Sequence, residues 1–288
     1  MAGSSAAWLS APGRRRTYRA PTDGQLERLG PCAHAMQSLI VKTKGALKAG
    51  KCLVGHWHSS GSALVAEYVA ATADYDVLCV DCQHGAVSST GLSEVLAATR
   101  GPNPWVRLRD NTPSHIHWVL DSGALGVIAP LINSADDART LVRESKYPPE
   151  GTRSFGPFRA GLLAPDYFDQ ANGAIMRWAM IETAAAYEAK AEIAEVDGID
   201  GLFVGPNDLA LALGVSPPTS NPSDARILAA IESIRDAAHK AGKYAGIFCG
   251  DGAFACKMKE KRFDFVIAGT DLGILTAGAA RELAAARG

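Results

Sequence analysis

From about Val41 onward, short and nearly continuous apolar runs alternate with longer segments whose apolar positions recur at helical spacing. The runs predict eight strands, at 53–57, 76–81, 104–108, 125–130, 177–181, 201–205, 244–248 and 263–268. Runs without polar alternation are what strands covered on both faces of a parallel sheet require. Between them, Asn111 or Thr112 caps a helix that carries Pro113 in its first turn and runs toward Leu120. Ser134 precedes Asp136 and Asp137, acids that suit a helix N-terminus. Thr183 opens an alanine-rich helix over 184–196, and further helices are expected over 224–241 and 270–286. Eight β/α units predict an α/β protein closed into a (β/α)8 TIM barrel rather than an open doubly wound sheet. No glycine fingerprint of a dinucleotide site follows the first strand. Residues 1–36 are expected to form a flexible N-terminal extension, and 37–288 a single catalytic barrel.

The least regular stretch, 146–161, holds Pro148-Pro149, Gly151, Gly156-Pro157, Arg153 and Arg159. It reads equally as an exposed linker or as a loop covering substrate, whose arginines would select an acidic partner.

Composition narrows the function classes. A hydrophobic content of 47% with 20% charged residues is an ordinary globular balance. With 29 basic against 30 acidic residues there is no basic excess, which argues against nucleic-acid and anionic-membrane partners. No apolar run reaches the ~20 residues that span a bilayer. Six scattered cysteines read as the reduced thiols of a cytoplasmic protein. Cys79 and Cys82 have the spacing of a redox or zinc motif, but the apolar run around Cys79 favours core packing. Arg14-Arg15-Arg16 gives the extension a faint likeness to a mitochondrial targeting segment; lacking an accompanying amphipathic helix, it is expected to be a polar tail.

Barrel chemistry is carried at strand C-termini, where this chain places Asp81, Gln83, His84, Arg107, Arg109, Glu182, Asn207 and Asp208. Glu182 and Asp208 end neighbouring strands about 4.8 Å apart, so they can share one ion. Hard oxygen ligands suit Mg²⁺ or Mn²⁺; zinc would want histidine or cysteine beside them. Asp81, three residues before His84, can orient the imidazole as a general base. Arg107 can meet a carboxylate or a developing enolate, whereas Arg109 can pair with Asp110. His56 and His58 share a strand face that could bind metal, but no third ligand is apparent, and with His115 and His117 they read as structural or surface residues. No lysine occupies a strand C-terminus, which argues against a Schiff-base aldolase.

These residues resemble the HpcH/HpaI aldolase and citrate lyase family. The likeness runs through Leu47-Lys48-Ala49-Gly50, Gly55-His56-Trp57, Asp74 to His84, Pro148 to Arg153, Met180-Ile181-Glu182-Thr183 and Gly205-Pro206-Asn207-Asp208-Leu209. It implies a phosphoenolpyruvate/pyruvate-type barrel and a metal-dependent lyase that cleaves a 4-hydroxy-2-oxo acid to pyruvate and an aldehyde through a stabilised pyruvate enolate. Glu182 and Asp208 would hold Mg²⁺, with Mn²⁺ or Co²⁺ as substitutes. Amides at Asn207 and Asp208 would meet the substrate carboxylate, Arg107 the enolate oxygen, and Trp57 would wall the pocket. Asp81 and His84 would form the acid–base pair. A homo-oligomer, trimer or hexamer, built through the C-terminal helix is also implied. Gln83 and Met180 depart from the family's usual glutamate and glutamine. Two other readings use the same residues: an oxaloacetate decarboxylase or carbon-bond-forming synthase of the macrophomate type, and a non-catalytic barrel for binding or assembly.

Overall fold

All eight apolar runs become strands of one closed barrel: β1 Leu53–His58, β2 Val77–Asp81, β3 Asn103–Arg107, β4 Gly126–Ala129, β5 Met176–Ile181, β6 Gly201–Val204, β7 Tyr244–Ile247 and β8 Phe265–Thr270. Every neighbouring pair is parallel, and β1 closes on β8. The computed structural model describes residues 43–164, 166–215 and 221–288; the extension over 1–36, with its Arg14-Arg15-Arg16 run, lies outside them. Most expected boundaries hold to one residue. The exception is β8, because buried Phe263 belongs to the turn that caps helix Gly252–Glu260, its amide donating to Met258 O at 3.1 Å. Apolarity alone does not distinguish that anchor from a strand residue.

Capping chemistry sets the helix starts. Ser134 Oγ accepts from Asp137 N at 3.2 Å and opens helix Ala135–Glu144; Thr183 Oγ1 accepts from Ala186 N at 3.0 Å and opens Ala184–Ala194. Thr112, not Asn111, holds the N-cap position of Pro113–Asp121 without a side-chain capping bond, its hydroxyl turning to Asp110 instead, while the Asn111 amide donates to Asp137 O at 2.9 Å. Each of these helices runs back from the strand C-termini toward the opposite end of the barrel. Among the described residues no helix is long and apolar enough to cross a membrane.

Two apolar shells result from the alternation of side chains along each strand. The outer shell packs the strands against the helices. The inner shell fills the barrel with Trp105, Trp178, Phe203 and Phe265, whose ring centroids lie 4.8 to 6.5 Å apart. These rings fit because glycines face them. A Cβ on Gly201 would lie 2.3 Å from Trp178 Cζ3 and 2.6 Å from Tyr244 O. Gly201→Ala is therefore expected to destabilise the protein by about 1–3 kcal/mol, read as a lower urea midpoint at unchanged slope. Cys79 and Cys82 are buried free thiols, in keeping with core packing.

The 146–161 segment is a largely exposed connection, as one of the two readings had it, and not a substrate cover. It links a helix to the following strand, so it lies at the barrel end away from the strand C-termini. Arg153 is fully buried there, donating to Asp121 Oδ1 at 2.7 Å and Tyr167 OH at 3.0 Å beneath the Tyr147 ring. Arg159 donates to Ser122 O at 2.9 Å and Leu96 O at 3.0 Å. Both arginines bind the segment to neighbouring helix ends, which removes them as selectors of an acidic partner.

Candidate active site

A cleft of ≈ 200 Å³ opens at the strand C-termini and collects Trp57, Asp81, His84, Arg107, Asn207 and Asp208. Asp81 and Arg107 come together because β2 and β3 pair them directly in register. The guanidinium donates twice to the carboxylate, Nε to Oδ1 at 2.9 Å and Nη2 to Oδ2 at 2.6 Å. Trp57 Nε1 adds a bond to Oδ2 at 3.2 Å, and the Arg107 guanidinium lies 5.0 Å from the Trp57 ring centre. Burial alone would raise the Asp81 carboxyl, but Arg107, aided by the His84 amide and Trp57, holds it below the usual carboxylate range. The pair is a fixed, charge-balanced wall with both members nearly excluded from water.

Asp81 does not orient the His84 ring as the spacing suggested. Its Oδ1 instead accepts the backbone N–H groups of Gln83 at 3.0 Å and His84 at 3.1 Å. The aspartate thus shapes the turn that brings His84 to the cleft. The side-chain oxygen of Gln83 is buried without a hydrogen-bond partner among the described residues.

Glu182 follows β5, and Asp208 lies in the first turn of helix Pro206–Ala212 after β6. Glu182 is 2% exposed, and its Oε1 accepts the Leu131 amide at 2.8 Å. Leu131 donates from a left-handed backbone, φ 54°, a strained state for leucine that aims the N–H at the carboxylate. Burial raises the Glu182 carboxyl; the Leu131 amide and Arg107 oppose the shift, and nearby Asp208 adds to it. Gly205 keeps the space beside Glu182 clear, because a Cβ there would come within 2.6 Å of Oε2 and of Met180 Cε. Glu182 does not itself line the cleft, but it lies close enough for the Asp208 charge to act on it, and two neighbouring carboxylates are the donor chemistry that a hard divalent cation takes. The first-turn amides of Asn207 and Asp208 have no carbonyl partner within their helix.

Ser59, Phe248 and Thr270 also line the cleft and were not among the expected site residues. Phe248 is apolar, so a search for polar strand ends passes over it. Thr270 ends β8, two residues beyond the expected end of that strand. Of the remaining histidines, His115 accepts from Arg109 N at 2.9 Å and His117 lies 3.2 Å from Glu144, both away from the cleft.

Residues 53–277 match the family model of HpcH/HpaI aldolase/citrate lyase. A hydroxypyruvate/pyruvate aldolase of Rhizorhabdus wittichii is 41% identical over 85% of this chain and 98% of its own length. A 4-hydroxy-2-oxo-heptane-1,7-dioate aldolase of Salmonella dublin is 37% identical over 85% of this chain and 93% of its own. Among solved structures, a HpcH/HpaI aldolase/citrate lyase family protein from Burkholderia cenocepacia J2315 superposes with a TM-score of 0.79 at 30% identity, covering 86% and 99% of the two chains. Macrophomate synthase, at 23% identity and a TM-score of 0.74, shares the fold.

Proposed function

The chain belongs to the HpcH/HpaI aldolase/citrate lyase family, and from that premise we propose that it reversibly cleaves a 4-hydroxy-2-oxo acid to pyruvate and an aldehyde, using a divalent cation held by Glu182 and Asp208. The observation that supports this reading is that the cleft lined by Asp208, His84 and the Asp81–Arg107 pair lies beside buried Glu182, whose carboxyl the Asp208 charge raises. The donor set favours Mg²⁺ or Mn²⁺. When bound, the cation supplies a Lewis acid for the 2-oxo oxygen of the substrate.

The chain's own groups supply the rest. The Asn207 and Asp208 amides, at a helix N-terminus, bind the substrate carboxylate. Arg107, locked by Asp81, places positive charge where the enolate oxygen develops without reorganising during the reaction. The His84 imidazole exchanges a proton with the hydroxyl oxygen on the aldehyde side of the scissile bond. Trp57 and Phe248, edge to face at 5.4 Å, wall the cleft and exclude water. Met180 adds an apolar surface beside the cation position where a polar contact would otherwise restrain the ligand.

The C-terminal helix Asp271–Arg287 carries exposed Leu272, Ile274, Leu275 and Leu283. A second copy of the chain covers this face in the proposed homo-oligomer. The catalytic proposal is tested by following pyruvate methyl-proton exchange in D₂O by NMR, with Mg²⁺ or Mn²⁺ and with chelator. Exchange that requires the cation is expected. No exchange with oxaloacetate decarboxylation intact would favour a decarboxylase or synthase, and loss of both would remove the enzymatic reading.

A further inference from the structure

Strand β1 presents opposite chemistry on its two faces. Trp57 points into the cleft, whereas His56 and His58, two residues apart, share the outer face. Both imidazoles are 0% exposed; the ring nitrogens of His56 have no hydrogen-bond partner among the described residues, and His58 meets the Ser62 backbone and Asp271 only at poor alignment. Leaving such nitrogens buried and unsatisfied is unfavourable. The third ligand that the sequence did not reveal comes from the far end of the chain. Asp271, first residue of the C-terminal helix, is also buried, and one ligand atom from each of the three residues lies within 4.8 Å of the others.

We propose that His56, His58 and Asp271 form a structural zinc site, separate from the catalytic cation, that clamps the root of the C-terminal helix to the back of the active-site wall.

The geometry supports ligation over an ordinary ion pair. His58 Nδ1 lies 3.2 Å from Asp271 Oδ2 but lacks hydrogen-bond alignment. Two donors about 2.0–2.1 Å from a tetrahedral zinc ion are separated by about 3.3 Å. Asp271 Oδ1 accepts from Ser59 N and Leu272 N, both at 2.9 Å, and Oδ2 accepts from Ser60 N at 3.0 Å; the Ser60 hydroxyl is a further donor to this carboxylate, one that a bound ion would displace. Tyr75, 5.3 Å from the His56 ring, backs that imidazole. Burial pushes His56 down to about 4, leaving the neutral imidazole that metal binding requires. Two nitrogens and one oxygen suit zinc and contrast with the all-oxygen pair at Glu182 and Asp208.

The site connects to catalysis through the backbone. Asp271 fixes the amides of Ser59 and Ser60, and Ser59 O accepts Ala86 N at 2.7 Å. Ala86 follows the turn that carries His84. Zinc therefore acts as a brace behind the His84 turn and takes no part in bond making.

The test uses the full chain carrying Glu182→Gln, so that the catalytic cation site is disabled, expressed in zinc- or cobalt-supplemented medium and dialysed. Elemental analysis is expected to give about one zinc per chain, and the cobalt form the intense visible absorption of a tetrahedral site. Adding His56→Leu or the milder His58→Gln should reduce retained metal about tenfold, and chelation should lower the Tm in a way that zinc, but not Mg²⁺, restores. The absence of stoichiometric zinc or of a tetrahedral cobalt spectrum in the Glu182→Gln protein would overturn the proposal, as would retention unaffected by either histidine change. Because metal content and spectrum are read without turnover, failure here is distinguishable from failure of the aldolase reading.

Discussion

Replacing Glu182 by glutamine is expected to lower turnover by about 10³-fold, while leaving the cation-free protein at least as stable as the parent. Glutamine keeps the size of the side chain and an oxygen to accept the Leu131 amide. It removes the negative charge that a divalent ion requires, and Lewis-acid stabilisation worth several kcal/mol goes with it. In the cation-free parent that charge is a burden, since Glu182 is buried and the Asp208 carboxylate repels it. Cation-dependent proton exchange and thermal melts in chelator check the two parts independently. Unchanged turnover would remove Glu182 from the site. A markedly lower Tm in chelator would make it a structural residue.

Asp81→Ala is expected to cost about 3–5 kcal/mol of stability and at least about 10² in turnover. The stability loss follows from leaving Arg107, only 6% exposed, as an uncompensated buried charge. The activity loss has two sources: Arg107 is freed from its fixed position, and the turn presenting His84 loses the acceptor of two amides. Adding Arg107→Leu should recover much of the stability and none of the activity, a combination that denaturant melts and exchange kinetics separate. The pH dependence has a definite sign. Because the folded Asp81 carboxyl lies below its unfolded value, its contribution is complete above about pH 4 and is lost as pH falls through the lowered folded value. The Asp81→Ala protein should lack that part of the acid-induced loss, so parent and variant converge in stability at low pH.

The fold was legible in the chain because both-face burial writes nearly continuous apolar runs and because Ser134 and Thr183 mark helix starts with their side chains. The placement of Glu182 and Asp208 at neighbouring strand ends was legible for a related reason: consecutive strands of a barrel are neighbours, so strand ends adjacent in sequence order are adjacent in space. What could not be read were contacts fixed by register and closure. Three-residue spacing drew attention to Asp81 and His84, whereas the dominant partner of Asp81 is Arg107, opposite it on the next strand. Arg153 and Arg159 looked like free cations in an irregular stretch, and only folding shows that Asp121 and backbone carbonyls consume them. The company of His56 and His58 required closing β8 onto β1, which brings Asp271 to them from the other end of the sequence.

The tilted and edge-on rings of Trp105, Trp178, Phe203 and Phe265 also constrain traffic through the barrel. They fill its interior beneath the cleft, so whatever enters the cleft must leave through the same mouth. A fragment seated against the floor is then trapped until the one above it has departed. For the proposed cleavage, with pyruvate held at the cation, the aldehyde is expected to leave first and pyruvate last, an order that product-inhibition patterns check.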